Sequence, residues 1–382
     1  MSLFETPRLD DTERAVLERI DELQERLGYL VGESPRRWQG LLRRNTFARV
    51  IRGSNSIEGY NISVEDAVAA AVGEEPVEAQ ADTWKAIMGY RSAMTFVLQL
   101  AKSPDFAFST DLIKSLHFMM LEYDLSKNPG VWRPGAVYVR EEPSGKIVFE
   151  GPPADAVRGF MDELVASLQQ NNQGHSRIVA AMAHLNFVMI HPFSDGNGRM
   201  ARCLQSLVLA RNGPANPFFS SIEEYLGANT QDYYHVLAEV GHGAWHPERD
   251  TRPWIRFCLK AHFIQATTLL RRTREYEKLW MLMEEEIRRE GLPERVAFAL
   301  HDAATGFRVR NPTYRAAAEV SKQVAGNDLK AAVVAGLLVP QGERRGRCYV
   351  ASAKLVAMRA RVREPKGVVD PFLRAAKPRQ NE

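Results

Sequence analysis

The chain has 382 residues, enough for two or three domains, and is 45% hydrophobic. Its 50 Lys+Arg and 47 Asp+Glu leave a formal net charge of +3, which favours no partner, and no run of ~18 apolar residues exists to cross a membrane. Cys203, Cys258 and Cys348 lie far apart, which excludes a disulfide framework or metal-ligand spacing and points to reduced, buried thiols.

From the N-terminus, Met1–Asp11 is acidic and lacks an apolar signal core, so a cytoplasmic location is expected. Leu9 to Leu27 places Val16, Leu17, Ile20, Leu23 and Leu27 on one helix face. Ser54 and Glu58 lie four apart on a helix that Gly59 would end. By itself that pattern marks only a helix C-terminus. Asp82–Ala101 and Thr110–Tyr123 also have helical periods. After Asn128-Pro-Gly-Val-Trp-Arg133, the β-favouring runs Val137–Arg140 and Lys146–Phe149 flank Glu142-Pro-Ser-Gly145, predicting a hairpin. Pro152–Gln170 and Ser176–Ile190 are the next helices.

The run His191-Pro-Phe-Ser-Asp-Gly-Asn-Gly-Arg-Met-Ala-Arg202 is the most informative in the chain. His191 follows the apolar Phe187–Ile190, so a neutral imidazole stands where a buried helix ends and can accept a proton. Asp195 is a hard oxygen ligand of the kind Mg²⁺ takes beside phosphates. Gly196-Asn197-Gly198 allows a tight turn with inward N–H groups. The helix beginning there, Arg199–Leu209, supplies an anion site at its N-terminus. Arg199 and Arg202, three apart, both reach that site. Any one of these residues fits a capping or core role, but seven at this spacing fit poorly with folding demands alone.

Downstream, Tyr233-Tyr234-His-Val-Leu and Thr251–Phe257 follow the motif helix, and His242 and His246, four apart in a Gly-containing loop, read as solvated. A long charged helix runs from Thr267 to Glu290 and ends at Gly291 and Pro293. Residues 301–382 hold 16 Lys+Arg against 7 Asp+Glu, whereas the remainder holds 34 against 40. A basic C-terminal unit suggests an anionic partner. In it, Glu294–Ala304 and Tyr314–Val320 read as helices. Ser321 caps a third, with Val324, Leu329, Val333 and Leu337 inward. Val339–Ala351 reads as a hairpin. No regular structure is expected from Gly367 to Glu382.

The twelve-residue run resembles, residue for residue, the motif His-Pro-Phe-x-(Asp/Glu)-Gly-Asn-Gly-Arg-x-x-Arg of the Fic family. Members of that family transfer AMP from ATP to a protein hydroxyl and release pyrophosphate. The resemblance implies His191 as the base on the target hydroxyl and Asp195 as the ligand of Mg²⁺. It implies Gly196, Asn197 and Gly198 around the α-phosphate, Arg199 on the β-phosphate and Arg202 on the γ-phosphate. The related Doc branch, which phosphorylates, replaces the Gly-Asn-Gly-Arg portion retained here. Ser54, Glu58 and Gly59 resemble the family's inhibitory helix, in which the Glu pairs with the second motif arginine. Val137, Tyr138 and Val139 correspond to the flap that clamps a target protein by strand addition. Tyr233 and Tyr234 correspond to an adenine-pocket pair. The family asparagine that follows them is replaced around Val240-Gly241, and Gly241–Asp250 looks inserted.

The C-terminal unit resembles a winged helix-turn-helix. That resemblance puts Lys322, Gln323, Asn327 and Lys330 in a DNA groove and Arg344, Arg345 and Arg347 on the wing. A protein-interaction or dimerising winged helix is equally consistent, which makes a second copy of the chain the other candidate partner. The expected fold is therefore mainly α, a Fic-type helical core with a β-hairpin flap plus a small C-terminal winged-helix domain. Its expected parts are an N-terminal helical region (1–100), a catalytic core (101–265), a connecting helix (266–292), a winged helix (293–360) and a tail (361–382). Expected ligands are ATP, Mg²⁺ and a target protein. The alternatives are a DNA-binding regulator with a nucleotide-sensing core and an enzyme that removes AMP, with Glu58 positioning water.

Overall fold

A computed structural model describes residues 2–32, 37–76, 78–140, 144–170, 174–212, 219–343 and 346–375. Helices α1 (Asp11–Gly32), α2 (Arg37–Ile57), α3 (Val64–Val72), α4 (Ala81–Leu100) and α5 (Thr110–Leu121) precede a hairpin of β1 (Tyr138–Arg140) and β2 (Ile147–Glu150). Then follow α6 (Val157–Gln170), α7 (Ser176–Ile190), α8 (Asn197–Asn212), α9 (Glu223–Ala228), α10 (Thr230–Gly241) and α11 (Arg252–Arg289). The C-terminal region holds α12 (Val296–Ala304), α13 (Asn311–Ala318), α14 (Lys322–Val334), β3 (Leu338–Gln341), β4 (Cys348–Ala351), α15 (Ala353–Val362) and α16 (Pro371–Ala375). The fold is mainly α, as the helical periods indicate.

The centre is the α7–α8 pair. Thirteen of the fifteen α7 residues are buried, because the helix is apolar nearly all round and packs on several neighbours. One core cluster joins α3–α8 through residues such as Tyr90, Leu116, Phe187 and Leu204. A second sits between α1, α7, α9, α10 and α11, where Trp254 Nε1 donates to the Ala181 carbonyl at 2.8 Å.

The third cluster crosses the boundary expected near Gly291. Trp38, Leu41 and Leu42 of α2 pack with Leu279, Met283, Leu300 and Leu355. Arg44 Nη2 meets Asp302 Oδ1 at 2.5 Å, and Asn45 Nδ2 donates to Tyr276 Oη at 3.0 Å. The C-terminal region thus shares its core with the first two helices, which local periodicity does not reveal. One unbroken helix, α11, also runs through positions 265 and 266.

Within that region, Ser321 accepts from the Val324 N–H, as its capping role requires. The inward face of α14 is Ala325, Asp328, Leu329 and Ala332, whereas Val324 and Val333 are only half-buried. The inward set is rotated toward small residues because buried Asp328 needs Arg295 and the Tyr314 hydroxyl as partners, at 2.7–3.0 Å. Strands β3 and β4 pair antiparallel, and Val309 bridges to Tyr349.

The expectation of an unstructured stretch from Gly367 needs correction. Residues 371–375 are helical, Val368 and Phe372 pack on the α1–α11 seam, and Asp370 Oδ2 pairs with Lys260 at 2.8 Å. Two apolar side chains covering an apolar seam decide this, despite the polar composition around them. Residues 376–382 lie outside the described residues.

Candidate active site

The geometry starts with the end of α7. His191 takes a left-handed φ of 51° and its N–H donates to the Phe187 carbonyl at 3.0 Å, which stops the helix. Pro192 cannot continue it. The loop closes when Asn197 Nδ2 donates to the Phe193 carbonyl (2.8 Å) and Asn197 Oδ1 accepts the Phe193 N–H (2.9 Å). Asn197 thus shapes the loop with its side chain, leaving its backbone at the first turn of α8. Gly196, at φ 76°, is required twice: its backbone is left-handed, and a Cβ there would press on Leu121 and His117.

His191 Nδ1 lies 3.1 Å from the Val188 carbonyl. A carbonyl can only accept, so Nδ1 carries the proton and Nε2 keeps its lone pair. Burial holds the imidazole pKa down, to about 4. The Val188 bond opposes that shift, and Arg133 adds to it. His191 is therefore neutral at pH 7, as a general base must be.

The two motif arginines are deeply buried, each about 1% exposed. Arg202 Nε donates to Ser54 Oγ (2.7 Å), and its Nη2 donates to the Ser54 carbonyl (2.9 Å) and to Glu58 Oε1 (2.7 Å). Burial alone would lower the Arg202 pKa, but Glu58 reverses this and raises it. Glu58 also stands over the start of α8, because a Cβ on Gly198 would collide with its Oε1. Ser54, Glu58 and Arg202 are thus brought together by tertiary structure, and Gly59 (φ 81°) ends the turn after α2. Arg199 lies with its guanidinium 5.0 Å from the centre of the Tyr60 ring. Arg199 Nε and Nη1 and Arg202 Nη1 are buried without a hydrogen-bond partner among the described residues. Donors of this kind, beside a helix N-terminus, fit a polyanion.

Asp195 accepts the Gly196 N–H at Oδ1 (2.6 Å), and its Oδ2 pairs with Lys127 Nζ at 2.7 Å. Burial would raise its pKa, but Lys127, then Arg199 and the Gly196 N–H, outweigh this and lower it. Among the described residues no group of three or more His, Cys, Asp or Glu gathers to form an all-protein metal cage. One carboxylate beside a polyanion site is instead the donor set that suits Mg²⁺, which completes its shell with phosphate oxygens and water.

Of the two tyrosines that the resemblance assigns to an adenine pocket, Tyr233 is buried, and its hydroxyl lies 2.9 Å from His184 Nε2. Tyr234 is exposed at 46% and its hydroxyl donates to the Ile57 carbonyl at 3.1 Å. The rings of Tyr233 and Tyr234 lie 5.5 Å apart, centre to centre. The hairpin pairs Tyr138 with Glu150 and Val139 with Phe149. Val137 lies just outside the strand, its carbonyl accepting the Gly151 N–H at 3.1 Å. On its other edge β2 meets Gly243, so β1 carries the outer edge. Residues 141–143, and Arg344 and Arg345, which the sequence reading placed on a wing, lie outside the described residues. Lys322, Gln323, Asn327, Lys330 and Arg347 are all exposed, far along the chain from the motif. His242 caps α10 and His246 pairs with Glu248 at 3.3 Å.

Two residues that the sequence reading missed hold the motif in place. Buried Arg133 donates to the carbonyls of His191 (2.8 Å), Gly135 (2.6 Å) and Pro152 (2.5 Å). It ties the loop to both ends of the hairpin. Buried His117 accepts the Gly130 N–H at Nδ1 (2.8 Å) and donates from Nε2 to the Asp195 carbonyl (2.9 Å), while stacking on Phe193 at 3.6 Å. Arg133 ends the run Asn128–Arg133 before the hairpin, and His117 lies in the helix read over Thr110–Tyr123, but neither position by itself gives the side chain a role.

A family model described as Fic/DOC family matches residues 107–209, which contain His117, Arg133, His191 and both motif arginines. The chain is similar to the protein adenylyltransferase Fic of Nematostella vectensis, with 25% identity over 262 residues, 66% of this chain and 55% of that protein. It is similar to the protein of the same name from Culex quinquefasciatus, with 28% identity over 216 residues, 56% of this chain and 40% of that protein. The chain therefore spans about half the length of these curated relatives. Its fold is similar to that of a Fic family protein from Desulfovibrio desulfuricans, with a TM-score of 0.60 and 22% identity, covering 92% of this chain and 99% of that one. It is also similar to Fic-1 from C. elegans, with a TM-score of 0.55 and 22% identity, covering 68% of this chain and 72% of that one. The motif, its geometry and the matched span show that this chain contains a Fic/DOC family domain.

Proposed function

We propose that the chain is a protein adenylyltransferase that moves AMP from ATP to a Ser, Thr or Tyr hydroxyl of a target protein. The observation that carries the reading is the pairing of a neutral His191 with buried arginine N–H groups beside the start of α8, His191 Nε2 and those N–H groups having no hydrogen-bond partner among the described residues. In the reaction, the target oxygen attacks the α-phosphorus and the α–β phosphoanhydride bond breaks. The hydroxyl proton passes to His191 Nε2, and pyrophosphate leaves with the bond electrons. Arg199 and Arg202 stabilise the polyphosphate charge as it grows on the leaving side. Backbone N–H groups of Asn197 and Gly198 orient the α-phosphate. Asp195 would hold Mg²⁺, which supplies charge neutralisation on the phosphates. The outer edge of β1, with Val137 just before it, is suited to receive target backbone.

In the same reading the resting protein is autoinhibited, since Glu58 occupies Arg202 and stands over Gly198, where a phosphate would go. Incubation of Glu58→Gly protein with labelled ATP, Mg²⁺ and lysate tests the activity. Absence of AMP from every protein band, with nucleotide binding intact, would reject it.

One observation favours a second role for the C-terminal region. Gln323, Asn327 and Lys330 lie at i, i+4 and i+7 on α14, with Lys322 beside them, all exposed and opposite a fully packed face. This supports a winged helix that docks on DNA phosphates and bases, with a dimer interface as the competing use. Binding to DNA fragments that falls steeply with salt would favour DNA.

A further inference from the structure

We propose that Lys127 is a resident cation of Asp195, competing with a divalent metal for that carboxylate and thereby setting the metal concentration at which the site loads. The inference rests on the reading of Asp195 as the metal ligand.

The placement of Lys127 is built, not incidental. It ends a short 3₁₀ turn, Leu125–Lys127, whose start is held by Asp124, which accepts the Ser126 N–H. The turn closes with Asn128 in a left-handed conformation at φ 50°, its N–H on the Leu125 carbonyl. Two residues later the Gly130 N–H is fixed on His117, which also holds the Asp195 carbonyl. One side chain therefore sets both the Lys127 turn and the Asp195 loop. From this base Lys127 Nζ reaches Asp195 Oδ2 at 2.7 Å and lies 3.5 Å from the Tyr60 hydroxyl and 5.9 Å from the centre of the Tyr123 ring. The ammonium is thus on the carboxylate oxygen left free by the Gly196 N–H, where a metal would bind.

Tyr60 links this contact to the inhibitory segment. It follows Gly59 directly, lies against Arg199 and reaches Lys127. A metal ion at Asp195 and Lys127 cannot share one oxygen at bonding distance, since like charges so close repel. Metal entry must turn Lys127 away. The lysine is about one-quarter exposed, so its flexible stem has solvent to turn into.

Mn²⁺ titration followed by EPR, without nucleotide, measures the competition directly. Lys127→Met removes the charge and keeps the stem. Mn²⁺ affinity is expected to rise about fivefold or more, the effect of one fewer positive charge at a partly exposed site. Lys127→Arg restores the charge and should return affinity toward that of the wild type, which a purely structural role would not do. Lys127→Met with Asp195→Asn should lose the gain. Equal Mn²⁺ affinity of wild type and Lys127→Met, or a gain that survives Asp195→Asn, would overturn the proposal. Adenylyl transfer without the gain sinks this inference alone, whereas an Asp195-dependent gain without any transfer sinks the proposed activity and leaves the competition standing.

Discussion

Glu58 Oε1 lies 2.7 Å from Arg202 Nη2 across 144 residues of sequence. The contact joins the turn that follows α2 to the first turns of α8. Arg202 is almost fully buried whereas Glu58 is about one-third exposed, so the carboxylate is the partner that can leave. The other bonds of Arg202, both to Ser54, would persist and keep the guanidinium aimed at the site.

Glu58→Gly is therefore expected to activate. It removes the charge and bulk above Gly198 at an existing helix end, where the fold tolerates glycine. Self-labelling with AMP should rise at least tenfold, about 1.4 kcal/mol in the barrier, and Arg202→Ala in that background should lower it again. Initial rates of labelled-AMP incorporation check both. An unchanged rate in a folded Glu58→Gly protein would mean that the Ser54–Gly59 segment is only a helix end.

His191→Ala should abolish transfer and spare ATP binding, because in the proposed reaction Nε2 acts on the target hydroxyl and not on the nucleotide. Loss of a general base costs ~10²–10⁴-fold. Rate assays and calorimetry, both in the Glu58→Gly background, separate the two effects. Transfer above roughly a tenth of the parent rate would exclude this role.

The pH profile should reflect the buried imidazole. A His with its pKa lowered to about 4 stays neutral, and so competent as a base, down to far lower pH than a free one. Transfer by the Glu58→Gly protein should be flat between roughly pH 6 and 8, with the acid limb lying below the free-histidine value near 6.5. An acid limb centred at that free value would show that His191 is not desolvated in the working enzyme.

Arg133→Ala should destabilise and also inactivate. Its removal leaves the carbonyls of His191, Gly135 and Pro152 without their charged donor. Bonds of this kind contribute about 1.5–3 kcal/mol each and are not additive, so a loss of roughly 3 kcal/mol or more is expected in denaturant melts. A melt within about 0.5 kcal/mol of wild type would mean that the loop holds itself through Asn197.

Truncation after Gly291 should destabilise the remainder. It would expose Trp38, Leu41, Leu42, Tyr276 and Leu279, which pack against α12 and α15 in a shared core. Thermal unfolding of the truncated chain should shift down by several degrees, with aggregation. An unshifted transition would show that α2 and α11 are stable without that cover.

The sequence by itself determined the local features. Most of the long helices follow from apolar periodicity, which does not mark the short α3 and α9; the end of α7 follows from the apolar run before His191, the tight turn from Gly196–Gly198, and the cap of α14 from Ser321. It also marked the motif, since seven chemically specific residues in one short stretch need no long-range information. Tertiary structure decided what depends on contacts between distant segments. It alone puts Glu58 on Arg202, Lys127 on Asp195, and Arg133 and His117 beneath the loop, and it alone makes the C-terminal region share a core with α2. A lone Arg, Lys or His has no periodicity to betray it. Its role comes from which carbonyl or carboxylate the packed helices bring within hydrogen-bonding reach.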